Sequence, residues 1–317
     1  MRDSLNRNID YLRLSVTDRC NLRCKYCMPE DLPSIPHDSI MRYEEILRIC
    51  AVMAKIGIRT VRVTGGEPLM RKGCIDFIKK LKQISGIENV TLTTNGVLLE
   101  QYIDELAAIK IDGVNISLDS LDADIYKRIT GKDELHKARQ SLYKAIEAGL
   151  KVKINCVAVK GLNESEILPI AQLTEKFPVD ARFIELMPAG MNLRGVPCPE
   201  IIEIIKNKFP DLIPDPSFHG FGPARYFKSG GLKGNIGVID AVSNRFCSGC
   251  NRLRLTGEGF LKLCLQHDDG IDLRSLLRSG QSDIEIQDRI SAAVCNKPER
   301  HYFDNGESIT KMSHIGG

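Results

Sequence analysis

The chain has no tryptophan, and aromatic residues make up only 6% of its 317 positions. An excess of one charge is also missing: 44 basic and 41 acidic residues leave a formal net charge of +3. Both argue against a nucleic-acid-binding module, and any anion has to be held by a local cluster rather than by a global field. No apolar run approaches the length of a membrane span, and the opening MRDSLNRNIDYL lacks the apolar stretch of a secretory signal. The expectation is a cytoplasmic protein with neither nucleic acid nor membrane as partner. Only six histidines are present, and His37, His136, His219, His301 and His314 read as surface or structural residues.

Cysteine is what the chain has in plenty, with eleven residues. In the cytosol these are not expected to be disulfides. Cys50 and Cys156 lie in apolar periodic segments and read as small buried hydrophobes. Cys20, Cys24 and Cys27 form a C-x3-C-x2-C run with Tyr26 before the last thiol. Three thiolates on a four-iron cube leave one iron without a protein ligand, which suits a reactive site. By spacing alone the run also fits a zinc site with a distant fourth ligand. A second group, Cys247, Cys250 and Cys264, has His267 three residues beyond. By spacing alone these four make a Cys3His zinc ribbon.

Strand-like and helix-like patterns alternate from YLRLSVT through ARFIEL, giving six β–α repeats. Six repeats imply a parallel sheet with right-handed crossovers, either a partial barrel or an open doubly wound sheet. MPAGMNLRGVPCPE and PDLIPDPSFHGFGPA are rich in proline and glycine and read as loops around a short helix, PEIIEIIKNKF. A first domain is expected over 1–229 and a second region over 230–317. The distinctive residues follow strands: the first triad, then Gly65-Gly66-Glu67-Pro68, Thr94-Asn95-Gly96, Ser117 with Asp119, and Glu185 with Met187. Loops at the carboxyl ends of parallel strands carry the active site in α/β folds. The two glycines of GGEP permit close backbone approach to a ligand, although a bare GGEP is also a tight turn.

C-x3-C-x2-C with an aromatic before its last cysteine, then GGEP after the next strand, resembles the radical S-adenosylmethionine superfamily. The resemblance implies a (β/α)6 partial TIM barrel in which Cys20, Cys24 and Cys27 hold a [4Fe–4S] cluster. The open iron would bind the methionine moiety of S-adenosyl-L-methionine, and the GGEP segment would hold its amino group. The C-terminal CNRLRLT with a downstream cysteine resembles the GTP 3′,8-cyclase family, and this resemblance covers essentially the whole chain. It implies a second [4Fe–4S] cluster on Cys247, Cys250 and Cys264, in a C-terminal α+β extension, whose open iron meets the guanine of GTP. It further implies that Tyr26, Gly66, Ser117 and Met187 contact S-adenosylmethionine. Arg13, Arg62, Thr93, Lys153, Arg252 and Arg254 would contact GTP, with Lys151 as the alternative to Lys153. The terminal Gly316 and Gly317, otherwise a frayed end, would reach into the active site. The implied reaction turns GTP into (8S)-3′,8-cyclo-7,8-dihydroguanosine 5′-triphosphate, the first step of molybdenum cofactor biosynthesis. The implied partners are a reductant such as flavodoxin or ferredoxin and a cyclic pyranopterin monophosphate synthase that takes the product; a homodimer is compatible with the resemblance. Independently of it, Arg252 and Arg254 are two apart in a strand-like run and so share a face. An arginine facing a barrel interior, as Arg13 and Arg62 would, is costly unless paired, and a triphosphate would satisfy several such charges.

Overall fold

The structure is a computed structural model describing residues 1–27, 35–188, 193–244 and 246–303. Gly316, Gly317 and His314 lie outside these residues. Among the described residues the strands are β1 (Tyr11–Ser15), β2 (Thr60–Thr64), β3 (Asn89–Thr94), β4 (Gly113–Ser117), β5 (Val152–Ala158), β6 (Asp180–Glu185), β7 (Ile213–Asp215), β8 (Arg225–Lys228), β9 (Ile236–Ile239), β10 (Arg252–Leu255), β11 (Phe260–Lys262) and β12 (Gly270–Asp272). The helices are α1 (Tyr43–Lys55), α2 (Cys74–Leu81), α3 (Ile103–Ala108), α4 (Ala123–Thr130), α5 (Leu135–Glu147), α6 (Ile167–Lys176), α7 (Cys198–Lys208), α8 (Leu273–Arg278) and α9 (Asp283–Cys295). Each of β1 to β6 is followed by helix, as the alternating pattern predicts. The α/β class is therefore observed, and a (β/α)6 partial barrel is consistent with it. None of the described helices is long and apolar enough to cross a membrane.

Two compact units divide the chain. The first comprises Met1–Asn21, Glu30–Leu92 and Phe246–Gly317. Its strands run in the order β12-β11-β10-β1-β2-β3, with β10, β1, β2 and β3 parallel and β11 and β12 antiparallel. The pleat puts Leu12, Leu14, Val61, Val63, Leu253 and Leu255 on one face, all fully buried, which leaves Arg13, Arg62 and Arg254 on the other. α1 buries Ile46, Ile49, Cys50 and Met53, a helical stripe, and Glu45 accepts from the Arg42 N–H at 2.7 Å to cap its start. Ser282 and Glu285 cap α9 in the same reciprocal way.

The second unit comprises Leu22–Pro29 and Thr93–Arg245. Its strands run β4-β5-β6-β9-β8-β7, parallel through β9 and antiparallel beyond. Ile154, Cys156 and Ala158 alternate along β5 and are fully buried, and Val114 and Ile116 on β4 share their face, the period of two that a strand with one core face requires. The proline-rich stretch read as a loop contains β7. Its Pro214 is tolerated because β7 is an edge strand, paired among the described residues with β8 alone.

Candidate active site

The loop after β1 is stitched to the GGEP loop after the parallel neighbour β2. Gly66 N–H donates to Thr17 O at 2.7 Å and Glu67 N–H to Arg19 O at 2.7 Å. A β-carbon on Gly66 would stand 2.4 Å from Arg19 O and 2.6 Å from Asp18 O, so only glycine lets these backbones close beside Cys20. The Glu67 carboxylate is turned inward and caps the following turn, accepting from Leu69 N–H at 3.0 Å.

Cys24 and Cys27 belong to the second unit, as the ends of a tight turn in which Cys27 N–H donates to Cys24 O at 2.9 Å. Arg23 and Lys25 N–H groups anchor this turn on the carbonyls of Thr130 and Ile129. Between the two thiols, the Tyr26 hydroxyl donates to Asp119. Burial, then Asp119, then Cys24 and Cys27, drive the Tyr26 pKa well above its ordinary value. Burial lifts the Asp119 carboxyl to about 6 against the hydrogen bonds from Tyr26 and Val157 N–H. Ser117 ends β4 half-buried, and Met187 follows β6 half-buried. The Thr93 hydroxyl oxygen is buried with no hydrogen-bond partner among the described residues. Lys153 is engaged by Asp180 at 2.8 Å, the Tyr226 hydroxyl at 2.9 Å and the His219 carbonyl, while Lys151 is exposed.

The second triad lies wholly in the first unit. Cys247 and Cys250 precede β10, and Cys264 follows β11. The antiparallel pairing of Arg254 with Lys262 folds β10 and β11 into a hairpin, which returns Cys264 to the end where Cys250 sits. Thirteen intervening residues thus cost little separation in space. Gly259, at φ +87°, makes the turn of this hairpin. The three thiols act on one another electrostatically. Burial by itself would raise the Cys250 thiol, but the positive charges of Arg252 and Lys297 and hydrogen bonds from Arg252 bring it down to about 7. By contrast, burial raises the thiols of Cys50 and Cys74 to about 12, and those of Cys156 and Cys198 also rise. A thiol held near 7 is ready to be a metal-binding thiolate; the four buried ones are inert.

Across the strands beside this triad runs a row of cations. Arg13 on β1 is in register with Arg254 on β10 and with Arg62 on β2; Arg254 is in register with Lys262 on β11, and Arg62 with Thr91 on β3. Registered neighbours point to the same face, where like charges repel. Burial, then Arg254, Arg62 and Arg252, push the Arg13 pKa well down, and burial and Arg252 bring Arg254 to about 10. Arg62 is braced by Thr91 Oγ1 at 3.3 Å and lies over the Tyr11 ring, while Arg252 lies over Phe246. Sequence reasoning missed Lys262 and the buried Lys297. The signal for Lys262 was its place in the hairpin register opposite Arg254, which no spacing rule reveals.

All eleven cysteines are free of disulfides. Among the described residues no three or more His, Cys, Asp or Glu side chains close around a point that would hold a single ion. His267, the fourth ligand of a zinc ribbon by spacing, has its Nε2 3.0 Å from the Arg300 carbonyl oxygen. One zinc ion gathers its thiolates at about 2.3 Å, whereas a four-iron cube takes each thiolate on a different iron and spreads them further. Two sets of three thiols, with Cys250 biased toward thiolate, fit clusters in chemistry and in number.

A family model described as the radical SAM superfamily matches residues 14–174, and one described as Molybdenum Cofactor Synthesis C matches residues 179–303. The fold has a counterpart among solved structures. A Streptococcus suis SuiB structure, described as bound to S-adenosylmethionine, superposes with TM-score 0.67 over 98% of this chain and 76% of that one, at 14% identity. The class is the radical S-adenosylmethionine enzymes. Along its full length the chain is 46% identical to a GTP 3′,8-cyclase of Clostridium perfringens, and 43% identical to one of Pelotomaculum thermopropionicum, each covered completely. The chain belongs to the GTP 3′,8-cyclase family.

Proposed function

We infer that the chain carries out the reaction for which its family is named. It is a lyase that converts GTP to (8S)-3′,8-cyclo-7,8-dihydroguanosine 5′-triphosphate, the first step of molybdenum cofactor biosynthesis. It uses S-adenosylmethionine and two [4Fe–4S] clusters. The observation that carries the substrate reading is the register of Arg62, Arg13, Arg254 and Lys262 beside the second triad. Cations placed in one row, of which Lys262 also pairs with Asp268 at 2.7 Å, are favourable around a polyanion.

We propose the following division of roles. Cys20, Cys24 and Cys27 hold the first cluster, and Cys247, Cys250 and Cys264 the second. When bound, the first cluster and S-adenosylmethionine supply a carbon radical that removes a substrate hydrogen. Tyr26, Gly66, Ser117 and Met187 line the S-adenosylmethionine site. Two supports are the buried Asp119 with its Tyr26 partner, a negative counterpart for a cationic ligand, and the close approach that Gly66 allows. Arg13, Arg62, Arg252 and Arg254 bind the triphosphate, and Thr93 and Lys153 complete the GTP site. Lys153 is favoured over Lys151 because it is half-buried and already oriented by Asp180. Gly316 and Gly317 are proposed to enter the active site during turnover. The radical chemistry falls to 1–229 and the second cluster to 230–317. Electrons come from flavodoxin or ferredoxin, the product passes to cyclic pyranopterin monophosphate synthase, and the setting is the cytoplasm. A homodimer is part of the proposal. Nucleic acid and membrane have no part in it, in keeping with the near-neutral charge.

The test is GTP binding by equilibrium dialysis to anaerobically iron-loaded Arg13→Ala. Binding weakened with both clusters retained supports the assignment; unchanged affinity would sink it.

A further inference from the structure

A second set of buried charges surrounds the second triad without joining the cation row. Arg7 is 6% exposed, and every N–H of its guanidinium is engaged. Its Nε donates to Asp3 at 2.6 Å. One terminal nitrogen donates to Cys247 O at 3.1 Å and Glu299 O at 3.0 Å, and the other to Lys297 O at 3.1 Å and Pro298 O at 2.8 Å. Asp3 is itself fixed, accepting from the N–H groups of Leu5 at 3.1 Å and Arg7 at 2.8 Å. The N-terminal turn thereby grips the segment that leaves α9 and ties it to Cys247. From that segment the His301 backbone N–H reaches the Cys247 sulfur.

Lys297 completes the arrangement. It is 4% exposed, and its ammonium donates to Arg252 O at 3.0 Å and to Leu263 O. Arg252 lies two residues after Cys250, and Leu263 immediately precedes Cys264. One lysine therefore bridges the two strands of the hairpin at the end that bears both thiols. A buried ammonium held by carbonyls is expensive, and it becomes reasonable when anionic sulfur lies beside it.

We propose that Arg7 and Lys297 are positioning residues of the second cluster: together they clamp the three cysteine-bearing segments into a preset thiolate triad, and Lys297 sets a fixed positive charge beside it. The role of Arg7 depends on its fork, because four carbonyls converge on one planar group that no lysine can replace. The role of Lys297 depends on charge as well as reach, because net charge near a cluster tunes its reduction potential. This inference rests on the reading of Cys247, Cys250 and Cys264 as cluster ligands.

The experiment uses the full chain, reconstituted anaerobically, in a Cys20→Ala, Cys24→Ala, Cys27→Ala background where iron reports the second cluster alone. Arg7→Gln is expected to lower cluster retention roughly 10-fold, the scale of losing an outer-shell partner. Lys297→Met is expected to shift the cluster's potential, followed by electron paramagnetic resonance, to a more negative value, and Lys297→Arg to restore it. With the first triad intact, Arg7→Gln should still cleave S-adenosylmethionine in the absence of GTP, so the loss is local. Full iron with Arg7→Gln together with an unchanged potential with Lys297→Met overturns the proposal. So does loss of S-adenosylmethionine cleavage in parallel with the second cluster. A triple-alanine parent that binds no iron removes the cluster reading itself, and the proposal with it.

Discussion

The two thiol neighbourhoods are built from different materials. Around Cys24 and Cys27 the buried charge is Asp119, which accepts the Tyr26 hydroxyl, while Arg23 and Lys25 are exposed and the turn is held mainly by backbone hydrogen bonds. Around Cys247, Cys250 and Cys264 the charge is positive: Arg252, Arg254, Lys297 and Arg13 act on one another and on the thiols. A sulfonium with an ammonium group suits the first environment, and a triphosphate suits the second. The anchoring differs in the same sense. Close backbone approach at Gly66 serves the first triad, while long charged side chains reaching carbonyls serve the second.

Separate disruption of the sites is the strongest way to test that contrast. Cys24→Ala should reduce S-adenosylmethionine cleavage to background while about four irons per chain remain on the second triad. Cys250→Ala should do the converse, leaving cleavage without GTP. Iron analysis with a 5′-deoxyadenosine assay reads both, and a coupled loss would mean that the triads do not act as independent sites.

Gly66→Ala probes the backbone-built site. The added carbon overlaps two carbonyls, and a displacement on the order of 1 Å beside Cys20 should slow cleavage by about 10²-fold. GTP affinity should stay as in the parent, since the cation row is untouched. Arg13→Ala probes the cationic site. Removing one charge-assisted partner should raise the GTP dissociation constant about 10- to 100-fold, and the remaining affinity should depend less on salt. A salt response equal to the parent's would mean that Arg13 does not meet the triphosphate.

The smallest expected effect sets an electrostatic baseline away from both sites. Arg278 hydrogen-bonds Glu45 at 2.9 Å and, with the Arg42 N–H, brings its carboxyl down to about 2. A folded pKa below the unfolded one stabilises above the unfolded value of about 4.3, and that stabilisation is lost as pH falls toward the folded value. Arg278 is 41% exposed, so the contribution is at most about 1 kcal/mol. The difference in Tm between the parent and Glu45→Gln should therefore shrink between neutral pH and about pH 2. A difference that stays constant over that range would remove the ion pair as its cause.

Much of the fold was legible because parallel β–α units write themselves twice, as apolar strands and as helical stripes. Tyr11–Ser15 and Thr60–Thr64 were plain for that reason. β7 was not, because three residues around Pro214 carry no periodicity and become a strand only by pairing with β8. Both triads were visible as spacings, yet spacing left zinc open at each. At the second, it was the full-length likeness to GTP 3′,8-cyclases, and not the placing of His267, that favoured a cluster.

By itself the sequence singled out the residues proposed to carry the chemistry: two sets of three cysteines, GGEP, and arginines at strand positions of matching parity. These are local properties, set by neighbours along the chain. Only the tertiary structure decided that Arg62, Arg13, Arg254 and Lys262 stand in one row, and that Arg7 and Lys297 hold the second triad from either end of the chain. Register and long-range hydrogen bonds depend on which strands and segments meet. The free energy that selects those meetings is buried surface, which no local spacing encodes.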